Sequence, residues 1–198
     1  MLLYKNILMK KKYQKYNFSE DLIVNKYLSI LNFNKKGTYN FKNDAAYIQL
    51  HKTKKLVVTS DSISENIDFF KGDDPKSIAN KITTVNISDL SAMGANPYCY
   101  SLNIFIPKYI DNEWVNMFTH ELFKIQKKYN FYLIGGYLSK SNNLAISSTF
   151  FDFNSSNIIV KQNYLNLNDD IWITGNLGDS YIGLQILQNK ITINDDKL

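Results

Sequence analysis

Apolar residues recur along this chain with two periods, and the alternation between them outlines the secondary structure. Residues 17–32 carry Leu22, Ile23, Tyr27, Ile30 and Leu31 at helical spacing behind Ser19-Glu20-Asp21, which predicts an amphipathic first helix. Residues 45–50 and 55–60 read as two strands of a hairpin joined by 51–54, with Asp61 ending the second strand. Asp74-Pro75 supplies an N-cap and a first-turn proline for a helix over 76–93, closed by Gly94. Residues 98–106 form a strand that ends at Pro107, and 112–129 a helix with Trp114, Met117, Phe118, Leu122 and Ile125 on one side. Short strands follow at 131–134, 144–153, 158–161 and 171–174, with a glycine loop over 175–180 and a helix over 181–188. Strands alternating with long helices indicate an α+β (α/β layered) fold.

On the 76–93 helix, Ile78, Ile82, Val85 and Met93 fall within about 80° of one another at 100° per residue, with Asp89 in the middle of the stripe. A carboxylate on a core-facing side needs a metal ion, a lysine or several hydrogen-bond donors; a satisfied structural hydrogen bond is the plainer alternative. Asp61, after Thr59 and Ser60, and Asp44, after Asn43, could join Asp89 as hard oxygen ligands for Mg²⁺, or could be aspartates of turns and strand ends. Gly135-Gly136 and the loop Gly175 to Ser180 could approach phosphates or serve only as turns. His51 and His120 have no partner at metal spacing.

Composition narrows the field. The 198 residues are 44% hydrophobic and 21% charged, enough for one domain's core and incompatible with disorder as the main state. No apolar run reaches the roughly 18 residues of a membrane span, and Lys5 interrupts any signal-peptide core, so neither a membrane nor export is expected. The single cysteine, Cys99, suits a reducing, cytoplasmic setting. All 23 basic residues are lysines, so the bidentate guanidinium fork is absent and phosphate must be held by lysines, backbone N–H groups or metal ions. Net charge is +5, yet apart from Lys10 to Lys12 the lysines are scattered and no recognition motif accompanies them, so no nucleic-acid partner is expected.

Four segments in order carry a family resemblance. Val85-Asn86-Ile87-Ser88-Asp89-Leu90-Ser91-Ala92-Met93-Gly94-Ala95-Asn96-Pro97 resembles the helix motif of the bacterial thiamine-monophosphate kinase family, in the aminoimidazole ribonucleotide synthetase superfamily. Leu56-Val57-Val58-Thr59-Ser60-Asp61 is similar to its strand motif, and Leu133-Ile134-Gly135-Gly136 to its Ile-Gly-Gly-Asp turn. Ile173-Thr174-Gly175-Asn176-Leu177-Gly178-Asp179-Ser180 is similar to its Thr-Gly-Thr-Leu-Gly-Asp-Ser loop, and the resemblance runs from about Phe18 to Lys190.

The resemblance implies transfer of the ATP γ-phosphate to thiamine monophosphate, giving thiamine diphosphate, with several Mg²⁺ ions. Asp44, Thr59, Ser60, Asp61 and Asp89 would be metal ligands by motif position. Asp68 falls at the family's substrate-contacting histidine, where an acid repels a phosphate unless a metal intervenes. Gly135, Gly136, Tyr137 and Gln162 fall at ATP contacts, Tyr137 in place of a metal carboxylate and Gln162 in place of an arginine. Lys42-Asn43-Asp44 keeps one of the two aspartates of the family's Gly-Asp-Asp. The implied organisation is a basic extension over 1–16, an aminoimidazole ribonucleotide synthetase-like domain over 17–155 that pairs sheets in a homodimer, and the truncated start of a second α+β domain over 156–198. A non-catalytic homologue acting as a dimerising or nucleotide-binding module is the alternative reading.

Overall fold

The computed structural model describes residues 19–41, 55–154, 160 and 166–192. The chain divides into two units, Met1–Lys161 and Gln162–Leu198.

The first unit is a four-stranded sheet with helices packed on it. Strands β1 (Lys55–Ser64), β2 (Cys99–Pro107), β3 (Tyr132–Ser141) and β4 (Ala145–Asn154) lie in the order β1-β4-β2-β3. β4 runs antiparallel to both β1 and β2, while β2 and β3 are parallel. The parallel pair is connected through α3 (Asn112–Tyr129), as a crossover requires. Helix α2 (Pro75–Ala92) packs on α3 and on strands β1 and β4. Between sheet and helices lies the core, with Tyr100, Phe118, Phe131, Phe150, Ile82, Leu90 and Leu122 fully buried. Tyr100 stacks on Phe150 at 4.9 Å and meets Phe131 edge-on at 5.3 Å.

Helix ends follow the sequence closely because capping is local. Asp74 accepts from the Lys76 N–H at 3.1 Å, with Pro75 in the first turn. Gly94, at φ +70°, follows the last turn of α2. Asp111 accepts from the Trp114 N–H at 2.8 Å, and Asn130, in the left-handed region, closes α3.

The first helix is less regular than its periodicity suggests. Helix α1 (Glu20–Ile23) continues as a π turn (Val24–Leu28) and a 3₁₀ turn (Ser29–Asn32). This change of pitch buries Ile23, Tyr27, Leu28 and Leu31 and leaves Leu22 and Ile30 exposed, although both belonged to the expected apolar face. Buried Gln126 of α3 fastens the run, its Nε2 donating to the carbonyls of Leu31 at 2.7 Å and Phe131 at 3.3 Å.

Two strand expectations change in this unit, and a third lies outside the described residues. The first hairpin strand, 45–50, and the turn 51–54 lie outside the described residues, and the partner seen for β1 is β4. β1 does not stop at Asp61 but continues to Ser64, since Asp61, Ser62, Ile63 and Ser64 each pair across to β4. β3 likewise runs through Gly135-Gly136, which form no turn. The parallel register slips between Tyr100 and Ser101, and a Cβ on Gly136 would sit 1.7 Å from the Leu102 carbonyl oxygen. Gly136 therefore lets two strands approach closely.

Of residues 158–161 only Val160 is described; it is not in a strand, and its N–H donates to the Met93 carbonyl at 3.2 Å. In the second unit, residues 171–174 form no strand, since no described segment pairs with them. Helix α4 (Asp179–Leu187) starts after Gly178, at φ +101°, and none of its residues is buried. Asn176 Nδ2 donates to Asp179 Oδ2 at 3.2 Å across the loop before it.

Candidate active site

Strand alternation sorts the β1 side chains. Val57, Thr59, Asp61 and Ile63 take the side that packs on α2, and Leu56, Val58, Ser60 and Ser62 take the other. Thr59 Oγ1 donates to Asp89 Oδ2 at 2.9 Å, which brings the strand motif and the helix motif together. Asp61 stands beside them. Partial burial, then the neighbouring charge of Asp89 and a hydrogen bond with that carboxylate, hold its carboxyl above the usual aspartate value.

Asp89 is exposed, not core-facing. The buried arc of α2 is Ile78, Ala79, Ile82, Thr83, Asn86, Ile87 and Leu90. At 100° per residue Asp89 lies about 80° from the middle of that arc, at the rim beside β1. The buried polar residues on this helix are Thr83, whose Oγ1 donates to the Ala79 carbonyl at 2.7 Å, and Asn86, whose Nδ2 donates to the Ile82 carbonyl at 2.9 Å. The partners that Asp89 finds are the Thr59 hydroxyl and the Asp61 carboxyl.

The remaining expected residues are dispersed. The Ser60 hydroxyl lies on the opposite face, 2.8 Å from Thr149 Oγ1. Asp68 is half-buried in the turn after β1, where Oδ2 accepts from the Ser64 N–H at 2.8 Å and the Ser64 hydroxyl at 3.3 Å. Lys81 Nζ donates to the Asp68 carbonyl. Gly135, Gly136 and Tyr137 lie on β3, the far edge from β1, three strand spacings or roughly 14 Å away. Tyr137 is 58% exposed and meets the Phe105 ring edge-on at 6.1 Å. Asp44, Gln162 and His51 lie outside the described residues, and His120 is exposed.

Among the described residues no three His, Cys, Asp or Glu side chains gather as a metal cluster. The Asp61–Asp89 pair with the Thr59 hydroxyl still fits a hard divalent cation, since all three offer oxygen and the two carboxyls are close enough to hydrogen-bond. Sequence reasoning missed Glu65, which is buried although charged. The signal was the alternation 57, 59, 61, 63, 65, legible only once β1 is followed past Asp61.

A four-stranded sheet with helices packed on it and two carboxylates meeting at its rim define an α+β domain. Residues 42–151 match the family model of AIR synthase related protein, N-terminal domain, and the chain belongs to that family. It is similar to the thiamine-monophosphate kinase of Buchnera aphidicola subsp. Schizaphis graminum, 36% identical over 185 residues that cover 91% of this chain and 56% of the relative. The Haemophilus influenzae thiamine-monophosphate kinase is 35% identical over 155 residues, 78% of this chain and 47% of the relative. The chain thus spans about half the length of the curated relatives it matches. Among solved structures, AaThiL complexed with AMPPCP and TMP superposes with a TM-score of 0.66 at 26% identity, covering 77% of this chain and 48% of that one.

Proposed function

We propose that this chain acts as a thiamine-monophosphate kinase, transferring the γ-phosphate of ATP to thiamine monophosphate. The observation that carries the reading is the meeting of Thr59, Asp61 and Asp89 at one rim, from two motifs thirty residues apart. Identity to the kinases named above supports it, as does an AaThiL structure that holds AMPPCP and TMP together.

In this reading Asp44, Thr59, Ser60, Asp61 and Asp89 supply oxygens for Mg²⁺, Ser60 through its backbone carbonyl because its side chain points away. Bound Mg²⁺ would neutralise phosphate charge and fix the reacting groups, the chief requirements of phosphoryl transfer. The protein's own part is to hold the carboxylates in place: the Thr59 hydroxyl orients Asp89, and the rigid β1–β4 ladder orients Asp61. Asp68 lies beside the acceptor. Gly135, Gly136, Tyr137 and Gln162 lie along ATP.

The two edges of one sheet hold Asp61 and Gly135–Tyr137 apart, which favours a homodimer in which the edges of two sheets meet. Exposed Leu56, Val58, Phe105 and Tyr137 give that assembly an apolar face. Among the described residues no helix is long and apolar enough to cross a membrane. A cytoplasmic kinase is the setting proposed.

The test is thiamine diphosphate formation by the purified chain with ATP, Mg²⁺ and thiamine monophosphate. Product from the native chain, and none from Asp89→Asn, supports the kinase. Mg-ATP binding without product in either protein overturns it in favour of a nucleotide-binding module.

A further inference from the structure

The net charge of this chain is concentrated in its first sixteen residues. Five of the 23 lysines and none of the 18 acidic residues lie there, so this segment carries a charge equal to the whole net charge of +5 and the remainder is balanced. The segment is also apolar: nine of its sixteen positions are Met, Leu, Ile or Tyr, most of them in residues 1–9, ahead of the run Lys10-Lys11-Lys12. Holding a polyanion needs the lysines and gains nothing from Leu2-Leu3 and Ile7-Leu8-Met9 beside them.

Residues 1–16 lie outside the described residues, and the surface next in the chain has the same two characters. On the first helical run Leu22 and Ile30 are 42% and 52% exposed, with exposed Lys26 four residues from each. That run packs on α3, where Gln126 bonds the Leu31 carbonyl and Phe33 stacks on Phe123 at 5.4 Å. Around this contact stand three exposed lysines, Lys35 over the Tyr132 ring at 5.1 Å, Lys127 over Phe123 at 4.4 Å and Lys128 over Tyr129 at 4.9 Å. Rings hold these ammoniums, and among the described residues no carboxylate pairs with them. Glu121, the acidic residue of this part of α3, is paired with Lys124 at 3.1 Å.

We propose that the first sixteen residues and this face together bind an anionic lipid surface, the lysines at the headgroup phosphates and the apolar side chains just beneath them. An apolar segment too short to span, joined to a polybasic cluster, supplies the two signals of peripheral attachment, since either alone holds weakly. Exposed Tyr129 and the tyrosines of the segment suit the headgroup level. The expectation of no membrane rested on the length needed for a span, which attachment to one face does not require.

The test is co-sedimentation of the full chain with vesicles. Phosphatidylcholine vesicles containing about 30% phosphatidylglycerol should bind it about tenfold or more tightly than phosphatidylcholine alone. Replacing Lys10, Lys11 and Lys12 by Gln should lower that affinity about tenfold or more, each lysine near such a surface contributing roughly a factor of five. Leu22→Ser with Ile30→Ser, both at exposed positions, keeps the charge and should lower it about threefold. Single-stranded RNA is the competing ligand: RNA bound as tightly as the anionic vesicles, with vesicle affinity unmoved by Leu22→Ser and Ile30→Ser, overturns the lipid surface in favour of nucleic acid. Equal binding to both vesicle types, or binding to neither, overturns the proposal as well. The kinase reading is tested separately, because thiamine diphosphate formation without vesicles should be the same in the Lys10 to Lys12 variant as in the native chain.

Discussion

The hydroxyl of Thr59 donates a 2.9 Å hydrogen bond to Asp89 Oδ2 and so joins the edge strand β1 to helix α2 at the rim where Asp61 also stands. The Asp61 carboxyl hydrogen-bonds with the same Asp89 carboxylate, so three oxygen-bearing groups meet at this rim. Asp89→Asn should lower Mg²⁺ affinity at least tenfold and leave the midpoint of thermal unfolding within a few degrees, because the residue is exposed. Thr59→Val, which keeps the shape and removes the donor, should lower the affinity less. Calorimetric titration with Mg²⁺ checks both, and unchanged affinity in Asp89→Asn removes its role as a ligand.

The crowding of Asp61 has a pH signature. Its folded-state value is raised above the ordinary 3.8, first by burial and then by Asp89, so the folded protein holds this proton to higher pH than the unfolded chain does. The resulting stabilisation is fully present below 3.8 and is lost as pH rises through the folded-state value. Urea unfolding in EDTA should show the stability of the native chain, minus that of Asp61→Asn, decreasing across this window. A difference that rises with pH contradicts the assignment. Added Mg²⁺ near neutral pH should restore the loss.

Adjacent glycines of β3 should differ sharply in tolerance. An alanine methyl at Gly136 would fall 1.7 Å from the Leu102 carbonyl oxygen, whereas at Gly135 it meets nothing within 4 Å. Gly136→Ala must push β2 and β3 apart and should cost roughly 3 kcal/mol or more, with Gly135→Ala costing clearly less, about 1 kcal/mol. Equal losses in chemical denaturation would place the strain elsewhere.

Tyr100 offers the opposite sign. Its ring is fully buried among Phe131 and Phe150, its hydroxyl has no partner among the described residues, and burial pushes its ionisation far above the usual tyrosine value. Tyr100→Phe keeps the ring contacts and deletes the unpaired hydroxyl, so stability should rise by about 1 kcal/mol. A destabilised variant would reveal a partner for that hydroxyl.

What the sequence determined by itself is what short stretches of chain decide. Asp74-Pro75 and Asp111 mark where α2 and α3 begin because each cap bonds N–H groups two or three residues on. β2 was legible from its run of branched and aromatic residues, and the Asp61 and Asp89 motifs were legible as a carboxylate chemistry. The tertiary structure decided the rest. β1 extends through Asp61 because β4, more than eighty residues later, supplies partners as far as Ser64. Gly135-Gly136 lie in a strand because a parallel neighbour, not a local turn, takes up their backbone groups. Asp89 reached the solvent rim because which arc of a helix is buried depends on the strand and helix packed against it, which periodicity alone does not name. Glu65 is buried only because the Tyr109 hydroxyl and the Leu144 N–H, brought from distant parts of the chain, bond its carboxylate. Pairing and burial are contacts between distant residues, and a periodicity read along the chain carries only the local half of them.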